Sequence, residues 1–134
     1  MLQKLNKNRV GFTLVEIMIV VAIIALLAAI AVPNFLRARK RSQATRVLED
    51  LRMIDAAIDQ YAIETNKSSG SPANWTDIQG YLKKGSTLYN STHTDLLGSD
   101  LGTNFAVDTI PVVPAATFTA LSDVAPAAFW SPFK

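Results

Sequence analysis

The chain has 134 residues, with 13 Lys+Arg against 11 Asp+Glu, one His, no Cys and a formal net charge of +2. That length is a prior for one domain, and the lack of Cys excludes a disulfide framework and thiolate chemistry. Three of the cations, Lys4, Lys7 and Arg9, precede residue 12; a chain beginning there has ten cations, eleven acids and a net charge of −1, which leaves no nucleic-acid footprint.

Residues 1–11 are short, polar and basic, and they end in Gly11. A conventional secretory signal carries its small-residue cleavage site after the apolar region. Here the small residue comes before it. A cut between Gly11 and Phe12 removes residues 1–11 as a leader and keeps the apolar segment in the product. It also gives Phe12 a positively charged α-amine.

Ile17 to Val32 is an unbroken apolar run. With Phe12 to Val15 in front, it reaches the roughly 20 residues a membrane span needs. Glu16 sits inside this stretch. A carboxylate in lipid costs a few kcal/mol, so it calls for a partner. The Phe12 amine of a neighbouring copy has the right charge. Pro33 removes one helical hydrogen bond and is expected to kink or loosen the turn without ending the helix. Ala22, Ala25, Ala28 and Ala29 permit close helix approach.

A helical pattern resumes over 34–65. Val47, Leu51, Ile54, Ile58 and Tyr61 form one apolar stripe, with Arg46, Asp50, Asp55, Asp59 and Glu64 as polar positions around it. Arg52 and Asp55 are three apart, a spacing at which they can pair. Arg37, Arg39, Lys40 and Arg41 follow the span as a solvated collar able to meet lipid phosphates. They outnumber the cations of residues 1–11, so charge counting alone does not set the topology.

Asn66 to Asn74 reads as a Ser/Gly/Pro-rich loop. Thr76 to Lys83 is predicted as a short helix capped by Thr76 or Asp77. Beyond it, Thr103–Asp108, Thr117–Leu121 and Thr87–Asn90 are candidate strands between Gly, Pro and Asp breakers. The expected fold class is α+β: a long N-terminal helix with an apolar half for membrane or fibre core, and an amphipathic half packed on a small antiparallel sheet. The expected divisions are a leader over 1–11, a transmembrane and assembly helix over 12–33, its amphipathic continuation over 34–65, and a small globular region over 66–134.

The basic leader, the Gly11-Phe12 junction, Thr-Leu-Val-Glu at 13–16 and Pro33 together resemble the type IV pilin superfamily, which includes the pseudopilins of type II secretion. The resemblance is specific over residues 9–41. It implies that a membrane prepilin peptidase cuts after Gly11 and methylates Phe12. It also implies that Glu16 is the assembly acid and that Pro33 takes the family's usual proline position. It implies a homo-oligomeric helical filament, built with an assembly platform, an assembly ATPase and minor pilins or pseudopilins. Its location would be the bacterial inner membrane with residues 1–11 in the cytoplasm, then a periplasmic pseudopilus or an extracellular pilus. Major pseudopilins often bind calcium in a C-terminal loop. Asp95, Asp100 and Asp108, with Ser99 and Asn104, offer oxygen ligands of suitable hardness, although their spacing fits no EF-hand. Size, C-terminal composition and the lack of Cys lean to a major pseudopilin over a surface pilin.

Other signals carry less. His93, alone among acids, suits a loop better than a transition-metal site. No nucleophile elbow or phosphate-binding glycine loop occurs, and no catalytic cluster stands out. Trp75, Tyr81, Tyr89 and Phe105 read as core. The competing readings are an uncleaved single-pass anchor with a small binding domain and an enzyme tethered by the helix.

Overall fold

The computed structural model describes residues 10–134. Lys4, Lys7 and Arg9, and most of the expected leader, lie outside the described residues. Two compact units can be distinguished, one ending at Leu36 and one spanning Arg37–Lys134.

The first unit is the apolar part of helix α1 (Leu14–Thr65). Every residue from 10 to 39 is exposed, and none of the apolar window of α1 is buried. The helix is long and apolar enough to cross a membrane. Pro33 lies inside α1, and the helix is assigned without a break through it.

In the second unit, α1 turns amphipathic. Ala44, Val47, Leu48, Leu51, Ile54, Ala57 and Ile58 form its buried face. The sequence stripe is therefore the core face, with Tyr61 half-buried at its end. Asp50 departs from the expected polar surround: it is 6% exposed, on the edge of the buried face. Arg52 and Asp55 do not form an ion pair among the described residues. The helix stops at Asn66, whose φ of 51° is left-handed, a conformation Asn tolerates at the residue after a helix. The Lys67 N–H then donates to the Ala62 carbonyl at 2.9 Å, closing the last turn.

The cover over the stripe comes from short pieces. Strand β1 (Pro72–Asn74) pairs antiparallel with β2 (Asn104–Ala106), in the register Pro72↔Ala106, Ala73↔Phe105, Asn74↔Asn104. Helix α2 (Trp75–Ile78) follows β1 directly and continues as a 3₁₀ turn over Gln79–Tyr81. Helix α3 is Thr87–Asn90 and α4 is Ala115–Leu121; a second 3₁₀ turn covers Ala127–Trp130. Trp75, Ile78, Leu82, Leu88, Leu101, Val113, Leu121, Ala125, Trp130 and Phe133 close the core against α1. The fold is α+β, with a long N-terminal helix and a two-stranded antiparallel sheet, as expected for a pilin-like chain.

Several local expectations need correction. Thr87–Asn90 is helical because the Ser86 hydroxyl accepts from the Tyr89 N–H at 3.1 Å and caps a turn. Thr117–Leu121 is helical too. Pro114 precedes the helix, and Thr117 and Leu121, four apart, are the residues it buries. Their β-branched and aromatic composition suggested a strand, but i,i+4 burial decides. Pro72–Asn74, expected as loop, is β1; Pro72 opens the strand, where proline is tolerated. Helix α2 starts one residue early, at Trp75, with Asn74 as its cap. Asp77 is not its cap but its third residue, accepting from the Asn74 N–H at 3.0 Å. The sheet contributes only Ala73 as a fully buried core residue and Phe105 as a half-buried neighbour, so helical and loop residues supply most of the cover.

Trp130 is fully buried and its indole N–H donates to the Ala125 carbonyl at 3.0 Å. Trp130→Ala is expected to cost about 3–5 kcal/mol, the usual range for emptying a large aromatic site. Ile63, 75% exposed, should tolerate Ile63→Ala within about 0.5 kcal/mol. Urea unfolding of the full chain in detergent, followed by circular dichroism, compares the two.

Candidate functional site

Residues 10–13 are non-helical, and Phe12 is 89% exposed. The Gly11-Phe12 bond is therefore an exposed, non-helical peptide link just ahead of α1, which suits a peptidase. Nothing lies within 4 Å of a Cβ placed on Gly11, so packing inside this chain does not require glycine there.

Thr13 caps α1. Its hydroxyl accepts from the Glu16 N–H at 3.2 Å, while the Glu16 carboxylate accepts from the Thr13 N–H at 2.8 Å. This reciprocal pair is a capping box, satisfying two donors that a helix start leaves open. The Thr-x-x-Glu spacing at 13–16 carried that signal in the sequence, and reasoning about membrane charge alone missed it. The box places a carboxylate at the positive end of the helix, where it is favoured. It also holds Glu16 within one turn of Phe12. The isolated chain thus satisfies one carboxylate contact locally, and it presents the acid and the Gly11-Phe12 bond at the same end of an exposed apolar helix.

A second polar group lies in the Arg37–Lys134 unit, around a cavity of about 200 Å³ lined by Arg46, Asp50, Thr87, Thr94 and Asp95 among others. Arg46 donates to the Thr87 hydroxyl. The Asp95 Oδ1 accepts from the Leu97 and Ser99 N–H groups at 2.9 and 2.8 Å, and its Oδ2 accepts from the Thr117 hydroxyl. Asp95 thereby ties its loop to α4. Burial pushes the Asp50 carboxyl above its ordinary value; the charges of Asp95 and Glu49 add to this, and Arg46 opposes it.

Asp100 accepts from the Gly102 N–H at 2.7 Å and pairs with His93 Nδ1 at 2.9 Å, and these contacts hold its carboxyl below the usual range. His93 also meets Trp75 edge-on, at 5.8 Å between ring centres. Asp108, with φ of 61°, is an exposed turn residue after β2. The three suggested calcium ligands therefore have separate settings. Among the described residues, no three His, Cys, Asp or Glu side chains form a group able to hold a metal ion. The geometry gives calcium no support.

Comparison with known proteins meets this site directly. Residues 6–32 match the family described as "Prokaryotic N-terminal methylation motif". The chain is 43% identical over 67 residues to the type IV wide pilus major component PilA4 of Thermus thermophilus, covering 50% of this chain and 51% of that protein. It is 42% identical over 66 residues to the type IV major fimbrial protein FimA of Dichelobacter nodosus, covering 49% and 41%. It is 34% identical over 95 residues to the type II secretion system core protein G of Pseudomonas aeruginosa, covering 59% and 66%. No solved structure matches. The chain is a member of the type IV pilin superfamily. Its relatives include pilus subunits and a secretion core protein, and the matches span from 41% to 66% of their lengths. Motif and exposed apolar helix together suit a membrane-anchored subunit.

Asp50 supplies a test of the polar cluster. Because its folded-state pKa is raised, the folded protein retains a proton that the unfolded chain has released, so stability falls as pH rises from near 3.8 through the raised value. Asp50→Asn removes that cost. It should stabilise the protein at pH 7, with the gain vanishing below pH 3.8. Urea midpoints of both proteins across that range would show converging curves at the acid end.

Proposed function

We propose that this chain is a filament subunit that performs no chemistry itself. It is inserted in the bacterial inner membrane with residues 1–11 in the cytoplasm, cut after Gly11 by a prepilin peptidase and methylated on Phe12. It then polymerises through α1 into a homo-oligomeric helical filament, with a kink at Pro33 as the adjustable point of the helix. An inner-membrane platform and an assembly ATPase drive the process, alongside minor pilins or pseudopilins. The carrying observation is Glu16, fixed by the Thr13 cap in the first turn of an apolar helix with no cover of its own, four residues from an exposed Gly-Phe bond. In the filament, Glu16 of one copy neutralises the Phe12 amine of the next. In low dielectric that pair sets the register, because breaking a buried ion pair costs about 3–5 kcal/mol.

Within this class, the preferred reading is a major pseudopilin of a type II secretion system. The similarity to core protein G extends over 95 residues, beyond the 66 or 67 shared with the pilins. The second reading is a surface type IV pilin, favoured by the higher identity of the segments shared with PilA4 and FimA.

Intact-mass spectrometry of sheared surface filaments and of inner membranes tests both. A methylated chain beginning at Phe12 is expected. Confinement to the membrane fraction supports the pseudopilin, and abundance in the sheared fraction supports the pilin. A full-length mass alone in both fractions overturns the proposal. Glu16→Ala should leave the cut intact and abolish filaments; normal filaments from that variant would remove Glu16 from assembly.

A further inference from the structure

Four cations, Arg37, Arg39, Lys40 and Arg41, crowd into five residues of α1 directly after the apolar segment, and the proposed function gives them no role. Residues 17–36 carry no charge. At about 1.5 Å per residue they span about 30 Å, the thickness of a bilayer's hydrocarbon core. The next residue is Arg37. No acid occurs between Glu16 and Glu49, so this stretch of helix supplies the collar with no counter-charge of its own.

Their placement discriminates between partners. The chain is helical through 37–41, so at about 100° per residue Arg39 projects nearly opposite Arg37, with Lys40 and Arg41 on either side of Arg37. Along the axis the four occupy only about 6 Å. A protein partner packs against one face of a helix and would collect cations in a stripe. Charges that point to several sides at one level instead match a plane of anions, such as the head groups that begin where hydrocarbon ends. Arg37, Arg39 and Arg41 are exposed, and among the described residues none of them takes part in an ion pair. Lys40 differs: it is half-buried, and its Nζ donates to Asp123 Oδ2 at 2.9 Å. That hydrogen bond, with the Arg37 charge adding to it, holds the Asp123 carboxyl below its usual range.

We propose that Arg37, Arg39 and Arg41 bind the phosphates of anionic phospholipids in the leaflet at their end of the span, and that Asp123 competes with those phosphates for Lys40. Arginine suits this role. Its guanidinium takes a phosphate through two parallel N–H donors, while its methylenes lie along apolar surface. Each cation near an anionic surface adds attraction, which salt screens within about 10 Å. The collar thereby fixes how deep the apolar segment sits, and it makes lipid composition a determinant of how readily the chain leaves the bilayer. This rests on the membrane-insertion part of the reading above.

The test uses the full chain in phosphatidylcholine vesicles carrying a trace of spin-labelled phosphatidylglycerol or spin-labelled phosphatidylcholine. Electron paramagnetic resonance reports the share of each label held at the protein. The parent is expected to favour phosphatidylglycerol about threefold at low salt. The combined Arg37→Gln, Arg39→Gln and Arg41→Gln variant should fall below about 1.5-fold, whereas the combined Lys4→Gln, Lys7→Gln and Arg9→Gln variant should keep most of the preference. Asp123→Asn should raise it above the parent, a gain that loss of fold cannot produce, and about 1 M NaCl should abolish it. An unchanged ratio in the arginine variant overturns the inference, as does a loss confined to the Lys4, Lys7 and Arg9 variant; an unchanged ratio in Asp123→Asn removes Asp123 as a competitor. If the chain fails to float with the vesicles, the membrane reading falls and this inference with it; a chain that floats without preferring the anionic lipid removes this inference alone.

Discussion

The first half of α1 must leave water, and nothing in its own unit lets it do so. Ile17, Ile24, Leu26, Leu27 and Ile30 are between 49% and 69% exposed in the single chain. Each such side chain gains about 1.5–3 kcal/mol on full burial. Summed over the segment, that drive exceeds the whole stability of an ordinary domain, which is about 5–15 kcal/mol. A bilayer can supply the cover, and so can a bundle of identical helices. On the proposed function, passage between those two environments is the central event for this chain. The physics of that passage lies in the few polar groups the segment retains. On the proposed function, Ala22, Ala25, Ala28 and Ala29 let helices come close, and Glu16 makes the exchange specific, because an acid in an apolar bundle demands a counter-charge.

The same helix solves a different problem further along. From Ala44 onward it carries a stripe of buried residues, and the rest of the chain exists mostly to cover them. With so little regular sheet, the cover is held by particular side-chain bonds. Asp95 fastens its loop by two backbone N–H groups and the Thr117 hydroxyl, and Trp130 anchors the C-terminal turn through Ala125. Val113 and Phe133 are joined by a backbone hydrogen bond at 2.8 Å, which brings the last residues into the core. A unit without disulfides depends on such fasteners.

The legible parts of this protein were those with long-range periodicity or a costly charge. Ile17 to Val32 needed only length and composition, and Val47 to Tyr61 needed only spacing. Glu16 stood out as a charge inside the apolar segment, although its capping bond with Thr13 was not drawn from a spacing in plain view. What failed was short. Thr87–Asn90 and Thr117–Leu121 are four and five residues of β-prone composition, too few to show a period. Ser86 capping and the burial of Thr117 beneath Asp95 decided them. Asp50 lies on the edge of the stripe, where one turn of helix separates surface from core. Its burial depends on the loop carrying Thr94 and Asp95, which no local pattern connects to α1. The three acids of the suggested calcium loop fell apart for a related reason. Sequence proximity put them together, but hydrogen bonds to Leu97, Ser99 and Gly102 turned two of them toward their own backbone.

Charge on α1 has a graded logic once those two halves are considered together. In the apolar half a single carboxylate suffices, because low dielectric magnifies one mismatch into several kcal/mol. In the solvated half each charge is screened and worth little alone. There the charges are grouped by sign, cations over 37–46 and acids over 49–64 apart from Arg52. Grouping carries a cost within the single chain, since Asp55 and Asp59 repel across one turn and burial already disfavours ionised Asp55. Interleaved charges, the pattern of an ordinary solvent-exposed helix, would relieve it. Segregation over 37–64 thus leaves a small repulsive cost along α1 in the single chain.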